Sequence, residues 1–176
     1  MKIVRNRTVL LLVCLIAFSS CGYRFTPVGG IVPEGAKTIA IPVFINRTFE
    51  PYIDVEVTKA VVDEFLTDGR LKVTSLENAD LILRGSITKF DLTPSTYTTD
   101  AYVAQYTVNI GVNLSIEDQR TGKLLMNDVG LGSVFIASYG VTPGNISLTK
   151  IQKETALINA CKDLASTIRG RVLEGF

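Results

Sequence analysis

Ala104-Gln105-Tyr106-Thr107-Val108-Asn109-Ile110-Gly111-Val112-Asn113-Leu114-Ser115-Ile116-Glu117 is the stretch that decides the fold. From Ala104 to Ile116 every second residue is apolar, and the residues between are polar or glycine. A period of two held for this long is a strand with one face in a core and the other turned to polar surroundings. Asp118-Gln119-Arg120-Thr121-Gly122-Lys123 reads as a hairpin connection, and Leu124 to Ala137 as a glycine-interrupted strand. On the upstream side, Ala79-Asp80-Leu81-Ile82-Leu83-Arg84-Gly85-Ser86-Ile87 is a further strand in which Gly85 marks a bulge or a close approach. Arg70 to Leu76 is a short strand, and Thr38 to Phe44 the first, with Pro42 at an edge or near its end because proline lacks an N–H.

Two segments change the period. Val57, Val61 and Phe65 recur at i, i+4 and i+8, flanked by Thr58, Val62 and Leu66. With Pro51 in the first turn and Gly69 as C-terminal cap, this is an amphipathic helix. Residues 138–147 read as a loop, after which Ser147 or Thr149 caps a last helix. Its apolar stripe is Ile151, Ile158, Cys161, Ala165, Ile168 and Val172. Two helices with one apolar stripe each, and a sheet with one apolar face, bury most surface when both helices lie on that face. The expected class is α+β: a two-layer sandwich of two helices on a mostly antiparallel four- to five-stranded sheet, in one domain over residues 38–176.

Residues 1–20 have the pattern of a signal peptide: basic Lys2, Arg5 and Arg7, an apolar run from Val9 to Phe18, then small Ser19 and Ser20. Cys21 directly after them makes the signal similar to a bacterial lipobox, although Phe18 stands where leucine is usual. In a lipobox the cysteine thiol is acylated with diacylglycerol and becomes the first mature residue. An ordinary secretory signal and an uncleaved anchor are the alternatives, but the apolar run is about half of the ~20 residues that span a bilayer. Residues 21–37 carry Pro27, Gly29, Gly30, Pro33 and Gly35 and read as a lipidated tether.

Removal of Lys2, Arg5 and Arg7 leaves about 15 basic residues against 17 acidic ones, so no strongly basic field remains for nucleic acid. The chain has three cysteines and no histidine. Cys14 leaves with the signal and Cys21 takes lipid, so Cys161 has no partner for a disulfide and no imidazole to make it a nucleophile. Without histidine the usual transition-metal ligand and the commonest general base are both missing. No metal, no cofactor and no enzymatic activity are expected. The carboxylates of Asp54, Glu56, Asp63 and Glu64 fall on the polar face of the first helix, as a solvated surface. Three lysines are candidates for holding an anion: Lys150 and Lys153 in the first turns of the last helix, and Lys89 beyond the strand that holds Gly85. Routine capping with solvated lysines is the competing explanation.

Three stretches resemble the lipopolysaccharide-assembly lipoprotein family, LptE. They are Cys21-Gly22-Tyr23-Arg24-Phe25, Ile39-Ala40-Ile41-Pro42-Val43-Phe44-Ile45-Asn46-Arg47-Thr48, and the strand Ala79 to Ile87. The resemblance covers essentially the whole chain. It implies an outer-membrane lipoprotein, anchored by lipid on the periplasmic side, that plugs the lumen of the LptD β-barrel as a 1:1 complex. Such a subunit helps the barrel to assemble and contacts lipopolysaccharide on its way to the outer leaflet. Gly22, rather than the aspartate that commonly retains lipoproteins at the inner membrane, agrees with outer-membrane delivery. Lys150 corresponds to a basic position of the family, whereas the loop Leu92 to Ala101 lacks the basic residue of better-known members. The alternative is a structural lipoprotein of another cell-envelope machine.

Overall fold

The computed structural model describes residues 30–131 and 137–175. The signal stretch 1–20, Cys21, the tether up to residue 29 and residues 132–136 of the expected final strand lie outside the described residues. The elements follow in the order β1 (Thr38–Ala40), β2 (Ile45–Asn46), α1 (Ile53–Asp68), β3 (Lys72–Val73), β4 (Leu81–Tyr97), β5 (Val103–Asp118), β6 (Lys123–Leu131), β7 (Ala137–Gly140) and α2 (Ile146–Glu174). A single turn of 3-10 helix, Leu76–Asn78, stands between β3 and β4.

The α+β class holds: α1 and α2 pack side by side against one mixed sheet. Among the described residues the sheet has seven strands in the order β3-β1-β4-β5-β6, with β2 added to β4 and β7 added to β5. It is antiparallel from β4 onward, while β1 runs parallel to both β3 and β4, and β2 parallel to β4. The first strand is therefore two short pieces, because the segment around Pro42 cannot complete a ladder.

The alternation in β5 is as its sequence demands: Val108, Ile110, Val112, Leu114 and Ile116 are all buried. Leu81, Leu83 and Ile87 of β4 face the same core until the register shifts between Ile87 and Lys89, after which Phe90 and Leu92 turn inward. β4 then continues to Tyr97, so Leu92 to Tyr97 is strand and not loop. Three more residues expected in a loop, 138–140, join Ala137 in β7, with Ala137 and Tyr139 buried.

Helix α1 buries Ile53, Val57, Val61 and Phe65 and closes with Gly69 in the left-handed region, φ +73°. Its N-cap is Tyr52 at φ 62°, so Pro51 precedes the helix instead of opening it. Helix α2 is capped two residues before Ser147, the earlier of the two expected caps: Asn145 accepts from the Leu148 N–H at 3.0 Å. Its buried stripe is Ala156, Ala160, Cys161, Leu164, Ala165, Ile168 and Val172, whereas Ile151 and Ile158 are 57% and 44% exposed. In the first half of α2, Ala156 and Ala160 thus face inward in place of Ile151 and Ile158.

Candidate functional site

The sequence motifs resolve first into structural parts. Asp80 Oδ2 accepts from the N–H groups of Lys37 (2.8 Å) and Thr38 (3.0 Å) and from the Thr38 hydroxyl (2.9 Å), while its own N–H donates to Thr38 Oγ1 (2.8 Å). These bonds fix the start of β1 beside β4, and they hold the Asp80 carboxyl below its usual range, the Lys37 N–H contributing most. Gly85 accommodates the ring of Phe44, which is buried over it; a Cβ there would overlap the ring. The Phe44 N–H donates to Thr58 Oγ1 at 2.9 Å, so the same residue ties the β1–β2 segment to α1.

Asn46-Arg47-Thr48 builds the turn between β2 and α1. Asn46 Oδ1 accepts from the Thr48 N–H and hydroxyl, both at 2.8 Å, and Asn46 Nδ2 donates to the Glu50 carbonyl at 2.8 Å. That turn aims Glu50 at α2, where its carboxylate meets Lys153 Nζ at 2.9 Å. The same ammonium lies 5.7 Å from the centroid of the Phe90 ring. Three segments far apart in sequence, the turn after β2, the middle of β4 and the first turns of α2, are thereby joined at one end of the domain.

Two hollows flank this ion pair. One, about 330 Å³, lies between the turn and β4 and carries Arg47 and Lys89. The other, about 480 Å³, lies between the β7–α2 loop and the start of α2; Tyr139, Val141, Pro143 and Ile146 give it a mostly apolar wall, with Lys150 and Lys153 among its lining residues. Two hydrogen bonds hold its rim: the Val141 N–H donates to the Ala104 carbonyl (2.8 Å) and the Thr142 N–H to the Thr149 side-chain Oγ1 (3.1 Å). Tyr139 stacks on Tyr106 with ring centroids 5.7 Å apart, and burial, then the charge of neighbouring groups, pushes its phenol pKa up, so it remains a neutral wall.

The three candidate lysines differ in state. Lys150 is 75% exposed, and its nearest carboxylate, Glu154, is 3.9 Å away one helical turn on. Lys153 is partly buried and occupied by Glu50. Lys89 stands in the neighbouring hollow, 3.2 Å from Asp91. Lys150 and Lys153 share one hollow and Lys89 does not. Arg47 is an addition that charge spacing did not single out: it is exposed, and among the described residues no carboxylate comes within 4.0 Å of it. Its presence in the Asn-Arg-Thr turn was the available signal.

Elsewhere, the thiol of Cys161 is 1% exposed and burial pushes its pKa up to about 12, so it is held as a neutral core group. No cluster of potential metal ligands occurs among the described residues, and no helix there is long and apolar enough to cross a membrane.

The fold is a two-layer α+β domain with this charged, partly apolar end. Comparison with solved structures gives the same architecture. The chain is similar to the PelC dodecamer protein of Paraburkholderia phytofirmans at 13% identity and a TM-score of 0.50, covering 82% of this chain and 92% of that one. It is similar to a minor lipoprotein of Acinetobacter baumannii (12% identity, TM-score 0.50, covering 81% and 95%). A hypothetical protein of Chlamydia trachomatis is a third (11% identity, TM-score 0.51, covering 78% and 98%). At these identities the likeness is one of fold. No curated protein is similar enough in sequence to be matched. Residues 36–172 match the LptE family, whose description is lipopolysaccharide-assembly, and the chain belongs to that family.

Proposed function

We propose that this protein is a non-enzymatic, lipid-anchored subunit of the outer membrane that occupies the lumen of the LptD β-barrel, helps it to assemble, and contacts lipopolysaccharide during insertion into the outer leaflet. Membership of the lipopolysaccharide-assembly family across residues 36–172 carries this reading. Cys21 after the signal supplies the anchor, because stable attachment needs more than one acyl chain and bacterial lipoproteins carry two or three. The domain is residues 38–176, preceded by the signal 1–20 and the tether 21–37.

The contact with lipopolysaccharide is assigned to the end of the domain that holds Lys150, Lys153 and Lys89, with Arg47 beside them. Of the two lysines that line the larger hollow, Lys150 is the more available to a phosphate or sugar acid, since an exposed i,i+4 pair contributes little. Lys153 acts with Glu50 to fix the turn and α2 in one arrangement. Purification of the tagged lipoprotein from detergent-extracted outer membranes tests the assignment: a stoichiometric LptD barrel is expected, and its absence, with another envelope complex in its place, overturns it.

A further inference from the structure

We propose that the flank of α1 turned away from α2 docks an amphipathic helix of another protein, one with cationic residues beside its apolar stripe. Helix α1 carries two apolar stripes. Ile53, Val57, Val61 and Phe65 form the buried one. Tyr52, Val55, Val62 and Leu66, with Lys59 in the middle, form the second, in the alternating three- and four-residue steps of a helix-packing seam. This second stripe is left in water: Tyr52, Val55 and Leu66 are 79%, 51% and 60% exposed. At 3.6 residues per turn it lies across the helix from Ala60 and Glu64, which face α2. Thr58, at its border, accepts the Phe44 N–H at 2.9 Å and so brings the exposed Val43 and Ile45 to the same flank. Single exposed apolar residues need no explanation, but a row of them along one helix flank marks an interaction surface. Tyr52 is an independent sign. It caps α1 at φ 62° without a side-chain cap bond, a conformation that favours glycine or asparagine, and its ring is held out in solvent.

Charge selects the occupant. In heptad terms Tyr52, Lys59 and Leu66 take a positions, Val55 and Val62 take d positions, and Glu56 and Asp63 take the e positions along one edge of the seam. Among the described residues no cation comes within 4.0 Å of Glu56 or Asp63, and no carboxylate within 4.0 Å of Lys59. A second copy of this chain does not fit. A parallel pair would set Lys59 against Lys59, and an antiparallel pair would set Glu56 against Asp63. An anionic lipid surface would meet the same two carboxylates. A foreign helix with lysine or arginine opposite Glu56 and Asp63, and a carboxylate opposite Lys59, satisfies all three charges. The polar a position then fixes its register.

The test uses the purified full chain with Cys21→Ser, which removes the acylation site and keeps every residue of the domain. It is titrated by NMR with a synthetic three-heptad peptide that has leucine at a and d, lysine at e and g, and glutamate at the central a position. A second peptide has these charges inverted, and vesicles of phosphatidylethanolamine and phosphatidylglycerol form a third probe. The lysine-flanked peptide is expected to shift Val55, Val62 and Leu66 saturably and to bind at least tenfold more tightly than the inverted one. Leu66→Gln, at an exposed position on a residue that favours helix, should weaken it about tenfold. Glu56→Lys combined with Asp63→Lys should reverse the preference between the peptides. Absence of binding, equal binding of both peptides, or binding that Leu66→Gln leaves unchanged overturns the proposal. So do two positive results of another kind. Vesicles that shift the same residues more strongly than either peptide make the flank a lipid-facing surface, and a dimer in sedimentation that Leu66→Gln dissociates makes it a contact between copies.

Discussion

Phe44 and Gly85 show how a single missing atom sets the packing of a strand. The ring occupies the space that a side chain on β4 would need, and it is enclosed by the core on its other sides. Gly85→Ala is expected to lower stability by about 1–3 kcal/mol, the range for overpacking a filled core, in urea unfolding of the purified chain. Asp80 works through charge instead of volume. Its folded pKa lies below the unfolded value of 3.8, so the stabilisation is fully present above that value and is lost as pH falls through the folded pKa. Asp80→Asn should therefore weaken the protein at neutral pH and flatten the loss of stability below about pH 4, as followed by acid unfolding curves. Part of the slope will remain, because Asp118, held down chiefly by Arg120, titrates in the same window. Lys150→Asp should weaken binding of lipopolysaccharide several-fold at low salt, with the difference shrinking as salt rises. Stability should change by well under 1 kcal/mol, since the position is exposed and only the loose pair with Glu154 is lost.

At the scale of elements, β5 and α1 were legible because each repeats one period over a long run of residues with an apolar stripe. The face assignment in β5 is testable: Ile110→Asp puts a carboxylate into the core and should cost several kcal/mol of the ~5–15 available. Asn109→Asp, on the opposite face of the strand, should change stability by well under 1 kcal/mol. Thermal melts of the two variants compare them directly. Other elements were hidden for identifiable reasons. The bulge between Ile87 and Lys89 resets the alternation of β4, so its second half, containing Pro94, carries no continuous pattern. β7 is four residues long, too short for a period to show. In α2 the larger residues Ile151 and Ile158 suggested the wrong edge of the stripe, since Ala156 and Ala160 are the residues buried in that part of the helix. The candidate site was half legible. A lysine pair near a helix start can be seen in a sequence, but Glu50, which holds Lys153 from 103 residues away, cannot.

Across the whole molecule, the two ends of α2 have different tasks. At its C-terminal end, Arg169 is held by Glu64, Asp68 and Glu174, and the Ile31 N–H donates to the Val172 carbonyl at 3.3 Å, so the chain enters the domain there. The hollow, Lys150 and Arg47 lie toward the other end of a helix 29 residues, or about 44 Å, long. A lipid attached at Cys21 would thus hold the domain by one end and leave the opposite end to meet the transported molecule. Photo-crosslinking in intact cells tests this most directly, with a photoreactive residue in place of Ile151, exposed beside Lys150, and a control in place of exposed Glu77 near the start of β4. The account predicts a lipopolysaccharide adduct from position 151 and none from position 77. Lipopolysaccharide captured equally at both positions, or at neither, would contradict it.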